Sequence, residues 1–84
     1  MILYVAPRAG PTDAAFVASR RVGGAVARNR ARRIMRAAWR ELRTLVEENL
    51  DVVFVARESI QGVKTQDLEA EMRQLLRRVK ALRP

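Results

Sequence analysis

Between Arg20 and Arg40 the sequence reads RRVGGAVARNRARRIMRAAWR, and its chemistry is that of guanidinium groups set one helical turn apart. Arg28, Arg32, Arg36 and Arg40 follow at intervals of four, so on a helix they form a row of like charges in which each neighbouring pair costs about 0.2–0.5 kcal/mol. A solvated helix ordinarily mixes signs and gains from such pairs. A row of arginines instead suits a polyanion, because the guanidinium fork donates paired hydrogen bonds to phosphate oxygens and stacks on exposed bases. From Arg20 to Arg43 nine arginines stand against one acid, Glu41, so this segment accounts for the whole net charge of +8 and the rest of the chain balances. Charge confined to one element reads as a binding surface; an even spread would read as solubility.

The remaining residues narrow the chemistry further. There is no His and no Cys, which removes imidazole acid/base catalysis, thiol nucleophiles, disulfides and ordinary zinc sites. No pair of carboxylates or hydroxyls has a spacing that suggests a shared site, so catalysis by the chain's own side chains is not expected. One Trp, one Tyr and two Phe beside a pI near 11.6 point to a polyanion held more by charge than by extensive stacking. The opening MILYVAPRAG has no basic leader and too short an apolar run for a membrane span, so a cytoplasmic protein without membrane contact is expected.

Five periodic segments must position these groups. Ile2 to Ala6 is β-branched and aromatic and runs into PRAGPTD, a strand followed by a turn. Ala14 to Ser19 reads as a second strand, antiparallel to the first and joined to it as a hairpin. DVVFVAR, from Asp51 to Arg57, has a continuous apolar run that predicts an interior strand or burial of both faces. Between them the spacing predicts a helix from about Val26 to Glu48. At 100° per residue Ala27, Ala31, Ile34, Met35, Ala38, Trp39, Leu42, Leu45 and Val46 share one arc, with Asn29 and most of the arginines opposite. Gly23 and Gly24 permit a tight turn before it. A closing helix is predicted with Thr65 as N-cap, Leu68, Met72, Leu75, Leu76, Val79 and Leu82 as its apolar stripe, and Arg77, Arg78 and Lys80 in its last turns. At 84 residues this is one domain: an α/β (α+β) sandwich with a small sheet and a βαβ crossover through the basic helix.

The stretch SRRVGGAVARNRARR resembles the signature of the protein subunit of bacterial ribonuclease P: a strand ending in Ser and two basic residues, a Gly-containing turn, then a helix opening with Arg-Asn-Arg and a further basic pair. DVVFVAR and the final amphipathic helix match in order and spacing, so the resemblance covers nearly the whole chain. It implies a fold like the second domain of ribosomal protein S5, with a left-handed crossover, and binding to a catalytic RNA that removes the 5′ leader from precursor tRNA. The resemblance further implies that Arg28, Asn29, Arg30, Arg32, Arg33, Arg36 and Arg40 contact the RNA subunit, and that Tyr4, Ser19, Arg20 and Arg21 meet the leader. For Asn29 a local cap near the helix start is the competing reading; for Tyr4 it is an ordinary half-buried strand tyrosine. Trp39, on the apolar arc, is expected in the core.

Family members open with a basic segment and an aromatic-bearing helix, whereas this sequence opens inside the following strand at MILYVAP; the expectation is one domain over residues 1–84 lacking that helix. The implied enzyme is a ribonucleoprotein endoribonuclease whose Mg²⁺ is bound by the RNA partner and none by the protein alone. Its partners are ribonuclease P RNA and precursor tRNA, with no protein partner evident. Two other classes share parts of the pattern: a DNA-binding regulator with the basic helix in the major groove, against which the strand-like AAFVAS leaves no companion helix, and a ribosomal or RNA-assembly protein of the same fold.

Overall fold

The computed structural model describes residues 1–84. Three strands, β1 (Ile2–Pro7), β2 (Asp13–Ala18) and β3 (Leu50–Ala56), form one sheet in the order β1-β3-β2, and two helices, α1 (Ala25–Leu42) and α2 (Thr65–Arg78), complete it. β3 is antiparallel to β1 and parallel to β2, so β2-α1-β3 is a βαβ crossover. The expected hairpin between β1 and β2 does not form. The two strands do run in opposite directions, but β3 lies between them. The linker from Arg8 to Thr12 therefore crosses about 10 Å, two strand spacings, and does so over the entry to β3. Hydrogen bonds to the segment that leads into β3 hold it there. The Arg8 amide donates to the Asn49 carbonyl (2.8 Å) and the Asn49 side chain to Gly10 (2.7 Å). The Thr12 hydroxyl donates to the Glu47 carbonyl and accepts from the Leu50 amide.

β3 takes the interior position its apolar run predicted, but only one of its faces is fully covered. Val52, Phe54 and Ala56 are buried, while Asp51, Val53 and Val55 on the other face are half-buried. Register extends the covered face to Leu3 and Val5 on β1 and to Ala14, Phe16 and Ala18 on β2. Against it pack Ala31, Ile34, Met35, Ala38 and Leu42 of α1 and Leu68, Met72 and Leu76 of α2. Trp39 is half-buried at the margin of this core, its ring tilted 59° on Phe54 with centroids 5.9 Å apart.

α1 ends earlier than its periodicity predicts. After Leu42 a 3-10 turn, Arg43–Leu45, releases the chain, and Val46 turns extended to bridge antiparallel to Leu82. The Glu47 amide donates to Ala81 and the Arg83 amide to Leu45, both at 2.7 Å. Leaving the helix buries Val46 completely, whereas Leu45, expected on the buried arc, is 41% exposed. α2 differs from expectation at both ends. Its cap is Lys64, with Thr65 already helical and no side-chain cap. At its far end Lys80 adopts φ 58°, with the Ala81 amide donating to Leu76 and the Lys80 amide to Arg77. That is a Schellman reversal built on lysine; it leaves Val79 exposed and carries Leu82 off the helix onto Val46.

Of the two glycines before α1, only Gly23 needs to be one. Its φ is 143°, and a Cβ there would lie 2.9 Å from the Ala27 Cβ and 3.2 Å from the Gln61 side-chain nitrogen, which itself donates to the Val22 carbonyl. Gly24 has φ −72° and open space around it. Gly23→Ala should therefore lower the unfolding free energy by about 1–3 kcal/mol, while Gly24→Ser, which supplies the missing N-cap oxygen, should raise it by a few tenths, about 0.3 kcal/mol. Lys80→Gly should raise it by about 0.5–1 kcal/mol through relief of the left-handed backbone. Urea unfolding of the three variants tests all of this.

Candidate nucleic-acid interface

Burial along α1 alternates with the helical period, so the residues opposite Ala31, Ile34, Met35, Ala38 and Leu42 are set by geometry. Asn29, Arg33, Arg36 and Arg40 are exposed, and Arg32 is half-buried beside them. Asn29 is inside the helix, past any capping position, and accepts a hydrogen bond from Arg32 (3.0 Å). That contact orients the Asn29 amide on the exposed face. The first turns behave differently. Arg30 folds back and donates to the Val63 carbonyl at 2.9 Å, tying α1 to the loop before α2. Arg28 is half-buried, and its Nε has no hydrogen-bond partner.

None of the nine arginines from Arg20 to Arg43 has a carboxylate within 4.0 Å, whereas Arg8, Arg73 and Arg83 elsewhere in the chain each do. The segment is therefore electrostatically open: its charge is not neutralised inside the molecule and is available to an external anion.

A second surface lies on the uncovered face of the sheet. Tyr4 is 59% exposed and stands opposite Val53, so the half-buried alternative for it does not hold. Two residues along β1 on the same face, Ile2 pairs with Val55 and enters a cavity completed by Ser19, Arg21, Ala56, Arg57 and Glu58. Ser19 and Arg21 thus meet at one end of the apolar face, with Tyr4 further along it. Arg20 is exposed in the 3-10 turn Arg20–Val22 and does not line the cavity. Arg57 was not foreseen. Parallel pairing matches Ala18 with Ala56, so the residues after them, Ser19 and Arg57, emerge side by side. The arginine directly following the most apolar strand was the visible signal, but its significance depends on knowing which strand lies next to it.

No three acidic side chains gather into a group able to hold a metal ion, and no helix is long and apolar enough to cross a membrane. A mixed three-stranded sheet covered on one side by two helices, with an unneutralised arginine face on the crossover helix, defines a small α+β protein built to hold a polyanion. A family model described as Ribonuclease P matches residues 1–80. The ribonuclease P protein component of Shouchella clausii is 32% identical over 85 residues, covering 99% of this chain and 70% of that one. That of Chloroflexus aurantiacus is 48% identical over 80 residues, covering 88% and 59%. A solved RNase P protein from Staphylococcus aureus superposes with a TM-score of 0.81 over 96% of this chain and 75% of its own, at 18% identity, which speaks for the fold. The chain belongs to the ribonuclease P protein family, and it spans 54% to 70% of the length of the first curated relatives it matches.

The division of the arginines into exposed and structural groups is testable. Arg33→Ala with Arg36→Ala should leave thermal unfolding unchanged while reducing the log–log salt slope of RNA binding by roughly 1.4–1.8, or about 0.7–0.9 for each phosphate no longer neutralised. Arg30→Ala should instead lower stability by about 0.5–1.5 kcal/mol, the value of its bond to Val63. Unfolding by the double variant would show that the face is structural.

Proposed function

We propose that this chain is the RNA-binding subunit of a cytoplasmic ribonucleoprotein endoribonuclease, assisting a catalytic RNA in removing the 5′ leader from precursor tRNA. The observation that carries the reading is the arginine face of α1, open to an external polyanion in a chain of this family. Arg32, Arg33, Arg36 and Arg40 grip phosphates of the RNA subunit, with Asn29 held by Arg32 to hydrogen-bond to it. Arg28, with a donor to spare, joins them, and Arg30 contributes the guanidinium nitrogens not given to Val63.

The leader follows the open sheet face. Tyr4 offers an exposed ring to a base, and Ser19, Arg20 and Arg21 meet its phosphates, with Arg57 supplying a further cation at the same end. Cleavage itself belongs to the RNA and the Mg²⁺ bound to it. The protein's part is fixed positive charge where RNA strands crowd together, which substitutes for part of the diffuse divalent screening the RNA needs.

Reconstitution with a bacterial ribonuclease P RNA tests this. The protein should lower the Mg²⁺ concentration needed for precursor cleavage and should cleave nothing alone. Failure to stimulate, or RNA-free cleavage lost on replacing an acidic residue, would overturn the reading; preference for duplex DNA would favour the regulator. In the same assay Tyr4→Ala should reduce the preference for precursor over mature tRNA by about 5-fold or more, the equivalent of about 1 kcal/mol of stacking, without changing affinity for mature tRNA.

A further inference from the structure

Between the C-terminal half of α1 and the edge strand β2 lies a cleft of about 370 Å³, walled by Arg36, Arg40 and Arg43 on the helix and by residues 11–14 on the strand side. That volume falls within the range of about 300–1,000 Å³ typical of small-ligand sites. Phe16 and the only tryptophan, Trp39, both half-buried, give it an apolar floor.

The position of Phe16 in the sheet decides what that floor presents. Its register partner is Phe54, and the two rings are stacked, with planes 8° apart and centroids 6.2 Å apart. β2 has β3 as its sole neighbour in the sheet. On the side away from Phe54, therefore, no strand follows, and the Phe16 ring meets no second aromatic side chain there. A column of parallel rings ends at the cleft with one place open. Such a place suits a further flat ring, since offset stacks form with centroids about 4.5–7 Å apart.

The charges around the cleft are uneven. Arg36, Arg40 and Arg43 make no ion pair. Glu48 is committed on both oxygens, one to Arg83 at 3.1 Å and the other to the Thr12 amide at 3.3 Å. Asp13 alternates with Ala14 and Phe16 along β2, so its side chain projects from the opposite face of the sheet, beside Asp51. Three guanidinium groups are thus ready to grip an anion with no free carboxylate among them to repel it. Nor does the cleft keep a free acceptor to read the donors on a base edge.

A phosphate site beside a place for a flat ring describes a nucleotide, and a base inside a duplex has both faces already covered. We propose that the cleft receives a single unpaired nucleotide of the RNA subunit, its phosphate on Arg36, Arg40 and Arg43 and its base stacked on Phe16, whatever the base. The RNA subunit is the source because Arg36 and Arg40 belong to the exposed face of α1, whereas the leader surface lies on the other side of the sheet. The inference rests on the reading of α1 as an RNA-binding helix and adds a stacking contact to its phosphate contacts.

Stacking and charge separate by their salt dependence. Phe16→Leu keeps an apolar side chain in the core but removes the platform. It should weaken binding to ribonuclease P RNA by at least about 5-fold, the lower end of what one stacked base contributes, and leave the log–log salt slope unchanged. Arg43→Ala should lower that slope by about 0.7–0.9. An unchanged RNA affinity in folded Phe16→Leu overturns the proposal. The unmodified chain supplies a test that no folding defect can blur. Adenosine and guanosine monophosphates should quench Trp39 emission at similar concentrations, and ribose 5-phosphate, which lacks the ring, should be at least about 5 times less potent in displacing them. Equal potency of ribose 5-phosphate, selectivity for one of the two bases, or no quenching overturns the proposal as well. Ribonuclease P RNA should displace the bound nucleotide; displacement by precursor tRNA in its place overturns the assignment to the RNA subunit. Salt-dependent RNA binding that survives any of these failures leaves the reading of α1 intact, and its absence from the unmodified chain removes that reading too.

Discussion

Holding α1 against the sheet means holding a row of mutually repelling arginines in register, and the balance of these two effects governs the molecule. Each like-charge pair one turn apart costs about 0.2–0.5 kcal/mol, whereas each fully buried Ile, Met or Leu returns about 1.5–3 kcal/mol. Ile34, Met35 and Leu42, with Ala31 and Ala38 allowing close approach, outweigh the repulsion along Arg28, Arg32, Arg36 and Arg40. The core is thus what lets the surface stay charged. No carboxylate within the chain has been recruited to relieve it.

Two surfaces of different character result, and a short rigid connection separates them. The arginine face presents charge, and the open sheet face presents Ile2, Tyr4 and Val55 and ends in a cavity lined by Arg21 and Arg57. Between β2 and α1 the chain passes through Ser19 to Gly24, where Val22 is fully buried, Gln61 holds its carbonyl, and Gly23 leaves no room for a side chain. The spacing of the two surfaces is therefore set by packing.

Local periodicity made the elements legible. The amphipathic character of α1 and α2 and the three strands follow from runs of neighbouring residues, and Trp39 falls on the core side as its position in the period indicated. What could not be read depends on partners far along the chain. The place of β3 between β1 and β2 is a pairing decision across more than thirty residues, while the short linker alone suits a hairpin equally well. α1 stops at Leu42 because Val46 has a partner in Leu82, and nothing near Val46 announces it. Lys80 in a left-handed turn gives no sign of its own, since lysine does not mark that conformation as glycine does. In the site the same division holds: the exposed arginines are visible in the pattern, but the diversion of Arg30 to Val63 and the meeting of Ser19 with Arg57 exist only once the loops and strands are assembled.

The strand order also bears on how the chain acquires its structure. β1 and β2 share no hydrogen bonds; every rung of the sheet runs through β3. Residues preceding Leu50 can therefore build no sheet among themselves, and an amphipathic helix in that region has no completed surface to settle on. Nucleation must wait for contacts distant in sequence, which raises the entropic barrier and slows the search. Because both pairings converge on β3, the loss of that one strand dissolves the whole sheet, which favours unfolding of the domain as a unit.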